Sequence, residues 1–238
     1  MFAHFSRSLA QLSDPRLRNV VVFAALGALA VFAVLWVIVW WLLANFDPAE
    51  VWGLAWLSEQ LGEGFDWIAG IAVFAALLIA TFLMFPGVVT VIVGFFLEQV
   101  ADAVEDRHYP DAGPARPQPI PEILLSTVKF AAVAVLLNLL VLPLYLVLVF
   151  IPGANLLLFY LLNGYLIGRE YYELIAFRRL SPGDAGRLRR RYRSRVLIAG
   201  ILVTVTMTIP VVNLIAPVLG VAFMVHVTHD LLRRAPAP

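Results

Sequence analysis

Long apolar runs alternate with short polar segments along this chain, and the breaks between them lay out its plan. Val20 to Leu43 carries no charge. It is long enough to cross a bilayer, since a span takes about 20 residues at about 1.5 Å each. Trp36, Trp40 and Trp41 mark its far half, as an interfacial aromatic belt would. A first span over 20–44 follows, after a polar, basic lead-in over 1–19. The run is longer than a signal-peptide core, so a retained membrane helix is expected. Residues 45–66 hold Asp47, Glu50, Glu59, Glu63 and Asp66 and no base. Val51, Trp52, Leu54, Trp56, Leu57 and Leu61 recur there at near-helical spacing, which predicts an amphipathic helix lying in the interface.

Trp67 to Leu97 is a second apolar run, and Pro86-Gly87 predicts a kink within it. Glu98, Asp102, Glu105, Asp106 and Arg107 then follow at helical spacing, so the second span is expected to continue to residue 107 with a charged face. Residues 108–122 are proline-rich and read as a loop.

The rest of the chain reads as two hairpins, 123–168 and 196–230, separated by a basic segment over 169–195. Ile151 to Leu156 is IPGANL, and Ile209 to Leu214 is IPVVNL. This short internal repeat puts a helix breaker and a polar side chain twice into uncharged surroundings. Val196 to Ile209 is 14 residues, about 21 Å of helix against a hydrocarbon core of about 30 Å. Asn155 to Gly168 is equally short, and neither turn carries charge. Both hairpins are therefore expected to penetrate halfway, with Pro-x-x-Asn tips inside the membrane. Asn155 and Asn213 are expected to cap the helices that follow them. Buried turns of this kind either sit within an oligomer or line a watery path, and both readings stand.

Composition agrees with a bilayer as the solvent: the 238 residues are 62% hydrophobic and 14% charged. The absence of cysteine excludes disulfides and thiolate metal sites. Net charge is only +1, but the bases cluster. Arg7, Arg16 and Arg18, the nine arginines of 169–195, and Arg233 with Arg234 are expected on the cytoplasmic side. The base-free segment 45–66 is expected on the opposite side.

Pro15-Arg16-Leu17-Arg18, LEQVADAVEDR (97–107), FIPGANLLLF (150–159), NGYLIGREYYELIAFRR (163–179) and TMTIPVVNLIAPVLG (206–220) together resemble the CysZ-type inner-membrane sulfate transporters. That family shares a domain with the eukaryotic etoposide-induced membrane proteins. The resemblance covers nearly the whole chain. It implies an all-α integral membrane fold with two long transmembrane helices and two half-penetrating hairpins. It also implies a homo-oligomer built on dimers, a multi-pass place in the bacterial inner membrane, and sulfate uptake for cysteine biosynthesis without a cofactor.

The family's sulfate site is a Pro-Gly-Leu-Arg-Arg-like turn at the start of the first span. The resemblance therefore places sulfate at Arg16, Leu17, Arg18 and Asn19. Leu17 and Arg18 match the pattern, whereas Arg16 replaces the glycine and Asn19 the second arginine. Asp14 beside the turn would repel an anion at short range. Sulfate there is still sensible chemistry, because a helix N-terminus with adjacent arginines is an anion site.

Other groups divide between structure and function. Glu98, Asp102, Arg169 and Glu170 sit at membrane edges; with Asn155 and Asn213 they are candidates for a gate or pore, or for helix-holding pairs. RLRRRYRSR (187–195) suits anionic lipid head groups better than nucleic acid. His226 and His229 share a helical face but lack a third metal ligand, and read as unligated interfacial histidines. No phosphate loop, nucleophile elbow or Ser/His/Asp set is found, so no catalytic residue, metal or enzyme activity is expected. A membrane scaffold, or a channel for another oxyanion or small solute, is the alternative.

Overall fold

The computed structural model describes residues 2–11, 13–45, 62–151 and 153–235. Most of the expected interfacial helix, residues 46–61, lies outside them. Helix α1 is Phe2–Gln11, α2 Pro15–Asn45, α3 Glu63–Gly94 and α4 Leu97–His108. A single 3-10 turn, Pro110–Ala112, follows. Then come α5 Ile120–Leu148, α6 Ala154–Ala176, α7 Pro182–Arg191, α8 Arg193–Met207, α9 Pro210–Asn213 and α10 Ala216–Arg234. No strand occurs among the described residues. Contacts divide the chain into two units, Val22–Ile92 on one side and Met1–Val21 with Val93–Pro238 on the other.

The unit Val22–Ile92 is an antiparallel pair. Gly27 packs against Ile92, Phe32 against Phe85, and Trp36 reaches both Thr81 and Phe74. The partner number falls as the α2 number rises, which fixes the direction. Trp36 donates its indole N–H to Thr81 Oγ1 at 3.0 Å, satisfying a donor that lipid cannot. Segments 70–85 and 87–94 of α3 meet at 42°. The bend falls at Pro86, where the missing N–H removes one hydrogen bond of the helix.

The larger unit is built around α10, whose residues 216–229 are all buried. Helices α1, α4, α6 and α8 pack around it. The closest pair is α6 with α8. Gly164 and Gly168 lie one turn apart on α6 and face Gly200 of α8; a methyl added to Gly200 would collide with the backbone at both. A methyl on Gly168 would lie 2.6 Å from the Val196 carbonyl oxygen. Small residues at this spacing let two backbones approach where lipid supplies no hydrophobic drive between helices.

By length and apolar composition, Pro15–Trp41 and Ile120–Leu148 are each able to cross a membrane, and the bent α3 adds a third span if its two parts act as one. The second long apolar helix is thus the first arm of the expected first hairpin. None of the residues of α5 is buried. The two hairpins differ in reach. Arg169 on α6 lies 5.7 Å from the Phe130 ring centroid on α5, which marks a common level. From Phe130 to the tip at Phe150 is about 20 residues, or about 30 Å. In the second hairpin, Arg195 pairs with Asp230 at 2.9 Å. From Arg195 to Thr208 is only about 13 residues, about 20 Å.

The expected asparagine caps are not formed. Gly153, at φ 84°, holds the N-cap position of α6, so Asn155 falls inside the first turn. Glycine tolerates this left-handed backbone without steric cost. The chain turns two residues before the asparagine, and Asn155 Oδ1 is left buried without a partner. Asn213 closes the one-turn α9 that Pro210 initiates, and α10 starts after Ile215 with no side-chain cap.

Candidate functional site: the first-span turn, a buried charge network and two cavities

Helix α2 begins at Pro15, a residue suited to the first helical position because its missing N–H would be unpaired there. Asp14 precedes it and accepts the Arg16 N–H on Oδ1 at 2.9 Å. Its other oxygen accepts from Arg107 at 2.8 Å. The Arg16 N–H bond and the Arg107 guanidinium hold the Asp14 carboxyl below its ordinary range. Arg16 reaches Asp106 at 3.2 Å. Leu17 turns inward and is 2% exposed. Arg18 and Asn19 point outward, and Arg18 has no ion pair among the described residues. The helix N-terminus thus already holds the chain's own carboxylate, and Arg18 is the unpaired cation of the turn.

A second set of charges is buried beneath. The apolar face of α4, Val100, Ala101 and Val104, carries Glu105 into the interior, where it is 4% exposed. Glu105 accepts from Arg178 at 2.9 Å, Arg179 at 2.7 Å and His229 Nε2 at 3.0 Å. Burial pushes its carboxyl up, but bonds from His229, Arg179 and Arg178 outweigh that and hold it at about 2. Asp102 shares Arg178. Arg179 also donates to the carbonyls of Ala112, Gly113 and Pro114, pinning the proline-rich loop. The ring of His229 stacks on Tyr109 with centroids 3.9 Å apart. The Tyr109 hydroxyl meets His226 Nδ1 at 2.8 Å, and His226 Nε2 meets the Gln11 amide nitrogen at 3.0 Å. His226 and His229 are therefore buried within the protein and hydrogen-bonded. Their helix packs on four others, so only its last turn reaches the surface. Every charge in this network is matched, which suits a tie between helices.

Two cavities separate the remaining candidates. Glu98 and Glu170 are brought together with Glu173, Ser126, Thr127 and Gln118 around about 240 Å³. Its carboxylates would repel sulfate. Arg169 donates to Glu173 at 2.8 Å and lines a different cavity of about 540 Å³ with Arg189, Arg190 and Arg193. Asp102 joins neither, and Asn155 and Asn213 stay at the two hairpin tips.

Sequence reasoning missed Glu105, Arg178, Arg179 and Tyr109 as a cluster. The available signal was the apolar stripe of α4, which turns Glu105 inward and demands a buried partner. Nothing in the local sequence said that the partner would lie more than 70 residues away. No curated protein matches the chain. A family model does match, over residues 4–217, which takes in the first-span turn, both cavities and the buried network apart from His226 and His229. The chain belongs to the family described as sulfate transporter CysZ/etoposide-induced protein 2.4.

Proposed function

We propose that this membrane protein is a sulfate transporter of the bacterial inner membrane that supplies sulfate for cysteine biosynthesis. The observation that carries the reading is the family match over residues 4–217. Arg18, exposed and unpaired at the start of α2, supplies the first guanidinium to an arriving anion, with Arg16 and Asn19 beside it and Leu17 anchoring the turn. Asp14 weakens capture there, because its carboxylate takes the Arg16 N–H that an anion would use.

The second hairpin ends within the bilayer, since about 20 Å of α8 falls short of a core of about 30 Å. The α5 arm of the first hairpin is long and apolar enough to reach across. Unpartnered backbone at the shorter tip is tolerated only beside protein or water, which supports a polar path near Asn213. Helix α5, with no buried residue, suits packing against lipid and against further copies in a homo-oligomer built on dimers. The basic segment 169–195 faces the cytoplasm and its anionic lipids.

The test is radiolabelled sulfate uptake by proteoliposomes carrying wild type or Arg18→Ala, with other oxyanions as competitors. Uptake that falls in the variant supports capture at this turn. Uptake untouched by the substitution removes the site from Arg18, and preference for another oxyanion replaces sulfate as substrate. The occupied turn at Asp14 favours a second reading, a membrane scaffold, for which no flux would be seen.

A further inference from the structure

Where α7 ends and α8 begins, the chain breaks at Tyr192 and opens a cavity of about 540 Å³. Its polar lining is Tyr165 and Arg169 from α6, Arg189 and Arg190 from the last turn of α7, and Arg193 and Ser194 from the first turn of α8. Four guanidiniums thus face one space. Glu173 is the carboxylate that touches them, accepting from Arg169 at 2.8 Å and lying 3.8 Å from Arg189. Arg190 and Arg193 have no ion pair among the described residues. Arg189 Nε is buried with no hydrogen-bond partner, and a buried donor left unpaired costs free energy unless something accepts from it.

The helix end adds to this. The first turn of α8 has no acidic residue and no side-chain cap. Its leading N–H groups carry partial positive charge toward the same joint. The carbonyl end of α7 meets it there, but its last turn is Arg189, Arg190 and Arg191, which offset that negative end. Guanidinium forks match the oxygens of sulfate or phosphate two at a time, and hydroxyls of Tyr165 and Ser194 supply further donors.

We propose that the cavity between Tyr165, Arg169, Arg189, Arg190, Arg193 and Ser194 binds a tetrahedral oxyanion, either free sulfate or the phosphate of an anionic lipid. Its volume falls in the range that holds a drug-sized ligand, about 300–1,000 Å³, so a phosphate still attached to its glycerol fits as well as a free anion. The site is separate from the first-span turn and does not depend on whether sulfate crosses the membrane.

The test uses full-length protein, delipidated in detergent, in three forms: wild type, Arg190→Gln with Arg193→Gln, and Arg18→Gln as a control at the other turn. Two quantities are read. One is equilibrium binding of radiolabelled sulfate. The other is phosphatidylglycerol retained, by native mass spectrometry, after passage through vesicles of phosphatidylglycerol and phosphatidylcholine. A loss of sulfate binding of about tenfold or more in the double variant, with Arg18→Gln altering it less, assigns the cavity to the free anion. Unchanged sulfate binding with phosphatidylglycerol lost assigns it to the lipid. Neither quantity changing overturns the proposal. Should the double variant fail to fold, Ser194→Asp replaces it: a carboxylate at a helix N-terminus favours the helix while repelling the anion. Binding undiminished in Ser194→Asp overturns the proposal as well.

Discussion

Removing one negative charge at Asp14 frees the Arg107 guanidinium from its carboxylate, while an asparagine oxygen there still accepts the Arg16 N–H. Asparagine is as good an N-cap as aspartate, so Asp14→Asn is expected to leave the helix intact. The lost repulsion on a sulfate dianion is about 2 kcal/mol at 4 Å in water. Sulfate binding at the first-span turn should therefore tighten by up to roughly thirtyfold, measured by radiolabelled sulfate equilibrium; weaker binding would mean that Asp14 orders the site. Glu105 is the opposite kind of residue, buried and fully paired. Glu105→Gln removes the negative charge and one of the two acceptor oxygens that Arg178, Arg179 and His229 share, and is expected to destabilise the fold by about 3–5 kcal/mol, read from thermal unfolding in detergent. The carboxyl sits at about 2 instead of its ordinary 4.5. Its contribution is therefore complete above pH 4.5 and is lost as pH falls toward 2. Wild type should lose stability across that window, and the variant should lack this component. Arg16, Leu17, Arg18 and Asn19 could be proposed from the sequence because a motif is local. Glu105 with Arg178 was not, because burial and long-range pairing are properties of the packed chain.

At the scale of helices, the second half of the molecule depends on how closely α6 and α8 approach. Gly200→Leu puts a side chain where the backbone at Gly164 and Gly168 already lies. Overpacking costs about 1–3 kcal/mol where neighbours can shift, and backbone shifts least. A fall of at least that size in unfolding free energy is expected, and a stability equal to wild type would mean that the helices are not in contact. The hydrophobic runs, the kink at Pro86 and the break points at Ile151 and Ile209 were legible in sequence, since proline and charge act locally. The asparagine caps were misread because Gly153 takes the left-handed turn first and Pro210 starts a turn of its own. The depth of the first hairpin was argued from Asn155 to Gly168, the shorter of its arms, whereas the other arm, α5, is a helix of 29 residues.

For the molecule in its bilayer, the difference between the hairpins is a prediction about depth. The chain has no cysteine, so single cysteines can be introduced without background. Phe150 and Ile209 are 85% and 48% exposed without lipid, so protein packing shields neither. A membrane-impermeant maleimide added from the extracytoplasmic side should modify Phe150→Cys and leave Ile209→Cys untouched. Equal modification of both would place the second tip in water and remove the half-penetrating hairpin. The membrane character and all-α fold were carried by composition and run length. Partner copies leave no such mark, since an apolar surface reads the same whether lipid or protein covers it.

Sulfate transport is read most simply from the initial-rate flux of radiolabelled sulfate into proteoliposomes. Folded, monodisperse protein reconstituted in vesicles with an anionic lipid should take up sulfate faster than protein-free vesicles, and excess unlabelled sulfate should suppress the signal. Flux equal to that of empty vesicles, from protein verified as folded after reconstitution, would rule out sulfate transport and leave a membrane scaffold in its place.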